Sequence, residues 1–182
     1  VADPKRAVVL VEEKYENLEL WYPYFRLLEF GLAVDLVGPE CGKSYGSKEG
    51  YPCVTDTPIV EALERDYVCL VAPGGWAPDR LRRYPDILRL VKNIHDQNGV
   101  IASICHGPWV MVSAKILEGR KVTCVSAIKD DVINAGAEYF DREVVVDGNL
   151  VTSRTPKDTA AFSRAMIELV AERVSEGERV TN

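Results

Sequence analysis

The sequence predicts an α/β protein: a parallel sheet sandwiched between helices, with a small β-hairpin near its end. Three observations carry that expectation. Short, almost unbroken apolar runs at Arg6 to Val11, Tyr67 to Ala72 and Val100 to Ile104 read as strands buried on both faces. Between them lie stretches with apolar residues at helical spacing, such as Leu18, Leu20, Trp21, Phe25, Leu27, Leu28 and Phe30. The alternation of the two implies right-handed crossovers, a sheet covered on both sides, and ligands gathered beyond the carboxyl ends of the strands.

In chain order, the Arg6 to Val11 strand is followed by a charged turn, Glu12 to Asn17, and by a helix that carries Pro23 and closes at Gly31. Ala33 to Val37 is a second strand, and Gly38 through Pro52 a loop or small hairpin. Thr57 and Pro58 read as N-cap and first turn of a short helix through Glu64. The Tyr67 to Ala72 strand ends in Pro73-Gly-Gly75, where two glycines let the backbone approach a ligand closely. Asp79 to Arg83 reads as a turn, and Pro85 opens a helix to about Asn98 that Gly99 caps. After the Val100 strand comes a helix with Val110, Met111, Ala114, Ile116 and Leu117, ending at Gly119. Lys121 to Val125 is strand-like, Lys129 to Ala135 helical and Glu138 to Phe140 extended. Asp147-Gly148-Asn149 joins Glu143 to Val146 with Leu150 to Ser153 as a hairpin, and Lys157 to Val174 is the last helix.

The chemistry centres on Val100-Ile-Ala-Ser-Ile-Cys-His-Gly-Pro-Trp109, an apolar run that stops at a cysteine and restarts as a helix. Ser103 and Gly107 stand two residues either side of Cys105. Small residues there are what a nucleophile elbow needs, because the turn holds its central residue in a sparsely populated backbone conformation. At a helix N-terminus the unpaired N–H groups and the helix dipole are expected to draw the thiol from its reference pKa of about 8.5 toward thiolate. Cys41, Cys53, Cys69 and Cys124 lie in apolar runs or beside a glycine-rich loop without metal-ligand spacing, and read as structural or incidental. The only histidines are His95, at a helix C-terminus, and His106, next to the nucleophile. A glutaminase of the same sheet type needs a histidine late in the chain, and none follows His106.

Length and composition bound the rest. One domain over 1–182 is expected, with a core from about residue 6 to 174 and a frayed tail at 175–182. Lys plus Arg number 22 against 28 Asp plus Glu, a net charge of -6 that disfavours nucleic-acid and anionic-membrane partners. Five cysteines, an odd number, with no hydrophobic leader point to reduced thiols in the cytoplasm. No apolar run approaches the roughly 18 residues of a membrane span.

Four motifs in order, Ala102-Ser-Ile-Cys-His-Gly-Pro108, Pro73-Gly-Gly75 with Ala77-Pro-Asp79, Lys129-Asp-Asp131 with Ile133-Asn-Ala-Gly136, and Val144-Val-Val-Asp-Gly-Asn149, resemble the ThiJ/PfpI superfamily, the PfpI branch above all. The resemblance implies a flavodoxin-like sheet of the class I glutamine amidotransferase type, with no metal or organic cofactor. It implies Cys105 as nucleophile, and Glu16 as the protonated acid that faces the cysteine. It also implies Gly75 and His106 as backbone oxyanion donors, and His106 as a triad histidine reached by Asp79 from a neighbouring subunit. Asp79 stands where the family more often has glutamate, and Val125 where the branch often has tyrosine. The implied activity is addition of the thiolate to reactive carbonyls, either 2-oxoaldehydes or their adducts on amines and thiols, as in cofactor-independent glyoxalases and deglycases. An intracellular cysteine peptidase and a non-enzymatic redox sensor are the alternatives. The implied partners are a small carbonyl substrate or a glycated protein or peptide, and a second copy of the chain, with exposed aromatics around Trp21 to Tyr24 as a candidate contact.

Overall fold

The computed structural model describes residues 4–180, with side chains over 4–175. The elements follow in the order β1 (Arg6–Leu10), α1 (Asn17–Phe30), β2 (Ala33–Val37), β3 (Ser44–Gly46), β4 (Pro52–Val54), α2 (Ile59–Ala62), β5 (Cys69–Ala72), α3 (Ala77–Leu81) and α4 (Pro85–Asp96). They continue with β6 (Val100–Ile104), α5 (Pro108–Ser113), β7 (Lys121–Val122), α6 (Lys129–Asn134), β8 (Glu138–Tyr139), β9 (Val144–Asp147), β10 (Leu150–Ser153) and α7 (Thr159–Val180). The main sheet runs β2-β1-β5-β6-β10-β9, parallel except for the β9–β10 hairpin. Strands β5, β6 and β10 are buried at every residue, as a sheet covered on both faces requires. Helix α1 packs on α7, while α4 packs on α2 and α5. The chain is thus a flavodoxin-like α/β fold, as the alternating pattern predicts.

The differences from the sequence reading sit at element ends. Thr57 does not cap α2: its hydroxyl donates to Asp56, and Pro58 takes the N-cap position. Asp79 to Arg83 is not a turn, because Ala77–Leu81 forms α3 with Pro78 in its first turn. The left-handed residue after α4 is Asn98, at φ 63°, one position before the expected Gly99. Helix α5 stops at Ser113, since Lys115 turns left-handed at φ 57°, and Ile116 and Leu117 reach the core from the loop beyond. The strand expected to Val125 ends at Val122. Helix α7 continues to Val180: residues 175–180 hold no proline to break it, so the tail expected to fray is helical there, and 181–182 lie outside the described residues. Of the aromatics around Trp21 to Tyr24, Trp21 and Tyr24 pack against the core, while Tyr22 and the neighbouring Phe25 are exposed.

The far edge of the sheet is fixed by one buried carboxylate. Asp35 of β2 is 3% exposed and accepts from Arg6 Nη2 at 2.5 Å, Arg65 Nη1 at 2.6 Å and Tyr67 Oη at 2.6 Å. Burial alone would raise its pKa, but these three partners together hold it below the ordinary carboxylate range. The stabilisation is therefore complete above the unfolded-state pKa of about 3.9 and is lost as pH falls through the lower folded value. Asp35→Asn is expected to cost ~1.5–3 kcal/mol at pH 7 in urea unfolding, since two partly exposed guanidinium groups lose their shared counter-charge while Arg65 keeps Glu61. The gap from wild type should shrink below about pH 4, and a gap independent of pH would show that the charge does not contribute.

Candidate active site

The turn from β6 into α5 is an elbow. Cys105 has φ 63°, in the left-handed region that L-residues rarely occupy, and its neighbours hold it there. Its N–H donates to Ser153 O at 3.1 Å, and its carbonyl accepts from Val125 N at 3.2 Å. Gly107 N–H closes the turn on Ile104 O at 2.8 Å. A Cβ on Gly107 would drive into the Ala72 carbonyl and the Ser103 hydroxyl, so the small residues flanking the cysteine are a steric necessity. Cys105 as a whole is buried, 8% exposed.

A second loop meets it from β5. Gly75 has φ 78°, and a Cβ there would strike the backbone of Tyr15 and Glu16. The close approach is a backbone clip: Glu16 N–H donates to Gly74 O at 3.2 Å, and Trp76 N–H to Lys14 O at 2.8 Å. The N–H groups of His106 and Gly75 both point at the Cys105 sulfur, and His106 Nδ1 lies 3.3 Å from it. The elbow and the Gly75 loop thus meet where the sequence places them.

The acid against the sulfur is Glu19, one helical turn beyond the expected Glu16. Glu16 is the N-cap of α1, its Oε2 accepting from Glu19 N–H at 2.8 Å, which turns that carboxylate back onto its own helix. Glu19 is fully buried, and its Oε2 accepts from Gly74 N–H at 2.8 Å. Its Oε1 has no hydrogen-bond partner among the described residues, and the carboxyl and the Cys105 side chain crowd the same side of Gly74. The signal for Glu19 lay in the pattern: Glu19, Pro23 and Leu27 are spaced four apart on the buried stripe of α1, and a carboxyl on that stripe demands a purpose.

Electrostatics couples the pair. Burial, then the Glu16 charge, pushes the Glu19 carboxyl up to about 8, so it is protonated at neutral pH. Burial, then the Glu19 charge, pushes the Cys105 thiol up to about 12, against the pull of the His106 and Gly75 amides. The dipole-driven descent to thiolate expected from the sequence is therefore outweighed by burial; α5 has only six residues. One proton remains in the pair after the first leaves. If it stays on Glu19, the sulfur is a thiolate held by two backbone N–H groups. Burial, then the Lys48 charge, lowers the His106 pKa, so its ring is neutral at pH 7.

Asp79 lies in the first turn of α3 with its side chain 45% exposed, bound to Arg83 at 2.5 Å rather than to His106 of the same chain. Val125 backs the elbow through its amide. Cys53, Cys69 and Cys124 are buried free thiols raised by that burial, and Cys41 is exposed. Among the described residues no three His, Cys, Asp or Glu side chains gather as a metal site. No helix among them is long and apolar enough to cross a membrane.

Replacing Glu19 with Gln should remove the inflection near pH 8 from the pH profile of Cys105 alkylation by iodoacetamide. Persistence of that inflection would assign it to another group.

The DJ-1/PfpI family model matches residues 5–169. The deglycase PH1704 of Pyrococcus horikoshii is 41% identical over 165 residues, covering 91% of this chain and 99% of that protein. Protein/nucleic acid deglycase 2 of Escherichia coli is 38% identical over 168 residues, covering 91% and 98%. A solved two-domain protein from Anabaena variabilis, with DJ-1/ThiJ/PfpI-like and ferritin-like domains, superposes with a TM-score of 0.89 at 36% identity, over 92% of this chain and 48% of that one. The chain belongs to the DJ-1/PfpI family.

Proposed function

We propose that the chain is a cysteine-dependent deglycase, which removes the early adducts that 2-oxoaldehydes such as methylglyoxal form on amines and thiols and releases a 2-hydroxyacid. The observation that carries the reading is the convergence on one sulfur of two backbone N–H groups and a buried carboxyl. The deglycase names of relatives about 40% identical over most of the chain support it.

In this reading the Cys105 sulfur forms a bond to the former aldehyde carbon of the adduct, and the C–N bond to the amine breaks, the amine leaving with the thiol's proton. The product is a hemithioacetal. A hydrogen shift from that carbon to the adjacent ketone carbon makes a thioester of the hydroxyacid, oxidising one carbon and reducing the other. Water then cleaves the thioester, returning the thiol and releasing a carboxylate. Free oxoaldehyde enters by simple addition and follows the same course. Each carbonyl step develops charge on oxygen, for which the N–H groups of Gly75 and His106 are the available donors. Glu19 and the neutral His106 ring carry protons to and from the sulfur and that oxygen.

Self-association belongs to the same proposal. His106 has no carboxylate partner among the described residues of its own chain, and a second copy could bring its Asp79 there, once that side chain leaves Arg83. The exposed Leu18, Tyr22 and Phe25 of α1 are a further apolar surface on the same molecule. A peptidase needs that oriented histidine more than carbonyl addition does, which places it second.

Cys105→Ala should bring the loss of methylglyoxal adducts from N-acetylcysteine and N-acetyllysine, followed with hydroxyacid formation, down to the uncatalysed rate. His106→Ala should slow it by about 100-fold, the lower range for a general acid or base. Adduct removal that survives loss of Cys105 would end the reading, and turnover of a peptide alone would favour the peptidase.

A further inference from the structure

Lys48 was not singled out in the sequence, yet its place in the fold is fixed as firmly as that of the elbow. The clip of residues 14–16 onto 74–76 continues on its other side: Tyr15 bridges both Gly75 and Ser47, and Lys48 N–H donates to Tyr15 O at 2.9 Å. The segment after it is a tight turn pinned from within. Ser47 is fully buried, and its hydroxyl accepts from Glu49 N–H at 3.1 Å and Tyr51 N–H at 2.9 Å, while Gly50 turns left-handed at φ 85°. Ser47–Lys48, Tyr15 and Gly75 therefore lie side by side, and the Gly75 amide faces the sulfur.

Lys43 and Lys92 are paired with Glu40 and Asp96, whereas Lys48 is exposed and makes no ion pair among the described residues. The unpaired positive charge is felt by both titratable neighbours of the sulfur, the Glu19 carboxyl and the His106 ring, which lie in α1 and at the elbow. Lys48 is held by its backbone to Tyr15, whose other side pairs with Gly75, so it stands on the rim of the loops that frame Cys105. At neutral pH the Glu19 carboxyl and the His106 ring are both uncharged, so neither competes with an incoming anion for the ammonium.

We infer that Lys48 is the anion-recognition group of this site, selecting carbonyl substrates that carry a carboxylate or phosphate close to the reacting carbon and holding the carboxylate that hydrolysis leaves behind. The inference about substrate rests on the carbonyl chemistry proposed above, but the recognition itself can be measured without turnover. Iodoacetate and iodoacetamide deliver the same alkyl carbon to Cys105, one as an anion and one neutral. The ratio of their rate constants is expected to fall about tenfold in Lys48→Gln, the effect of one charge a few ångströms away, to be kept in Lys48→Arg, and to shrink with added salt. Equal slowing of both reagents would mean that Lys48 acts on the thiol and not on the arriving anion, and would overturn the inference. So would an unchanged ratio.

The turnover arm compares 4,5-dioxopentanoate and 3-phosphooxy-2-oxopropanal, which carry a carboxylate and a phosphate, with neutral methylglyoxal. In the wild type kcat/KM should favour one or both anions, the larger preference identifying which, and Lys48→Gln should bring the anion-to-neutral ratios toward one. Wild-type ratios unaffected by the substitution would overturn the substrate class. A changed alkylation ratio with no turnover of any of the three would uphold Lys48 as the anion group and overturn the reaction proposed for Cys105.

Discussion

Everything at the candidate site depends on one backbone dihedral. Cys105 turns left-handed between a strand and a helix, a conformation that costs of order 1–3 kcal/mol for a residue with a Cβ. The cost is offset by the hydrogen bonds that hold the residue there, its N–H continuing the β10 ladder to Ser153 and its carbonyl accepting from Val125, and by the room that Gly107 leaves beneath the Ala72 carbonyl. Turned this way, the sulfur faces the Gly75 amide and not the hydrocarbon of the sheet. A regular continuation of β6 would have kept residue 105 extended alongside β10, where neighbouring Ser103 and Ile104 are buried.

The strain is spread over the loops that build the site. Of the four non-glycine residues with positive φ among the described ones, Asn98 and Lys115 close helices, while Lys14 and Cys105 belong to the site. Lys14, at φ 61°, presents its carbonyl to Trp76 and so aligns Tyr15 and Glu16 with Gly74 and Gly75. That alignment sets α1 so that its first turn delivers Glu19 beneath Gly74. A Cβ on Gly74 would collide with the Glu19 carboxyl and come within 2.7 Å of Cys105 Cβ, which measures how tightly acid, loop and nucleophile share one space.

The elbow was legible in the sequence because its constraint is local: small residues around a cysteine between a β pattern and a helical one determine the turn whatever packs beyond it. The same holds for the Asp147-Gly148-Asn149 hairpin, whose signal lies in three adjacent residues. What escaped reading depends on long-range placement. Glu16 and Glu19 are both carboxylates at the start of one helix, and which of them faces the cysteine follows from the angle at which α1 enters over the sheet, set by Gly74 some 55 residues away in the chain. The thiol's acidity was misjudged for a related reason. A helix start is visible in sequence, whereas the burial that outweighs its dipole comes from the whole fold. Lys48 sits in a charged, glycine-bearing loop that looks like any surface turn, and only the Tyr15 bridges bring it to the site.

The buried pair also explains why one cysteine of five is set apart. Cys69 and Cys124 are as buried as a side chain can be, and burial alone raises a thiol, storing it as an inert hydrophobe. Cys105 is raised too, but its surroundings contain two donors, the His106 and Gly75 amides, that favour the charged sulfur. The energy withheld from the resting thiolate by burial is partly returned by those two amides. A nucleophile that keeps its proton until an electrophile arrives is protected from idle oxidation, since the thiolate is the form that oxidants attack.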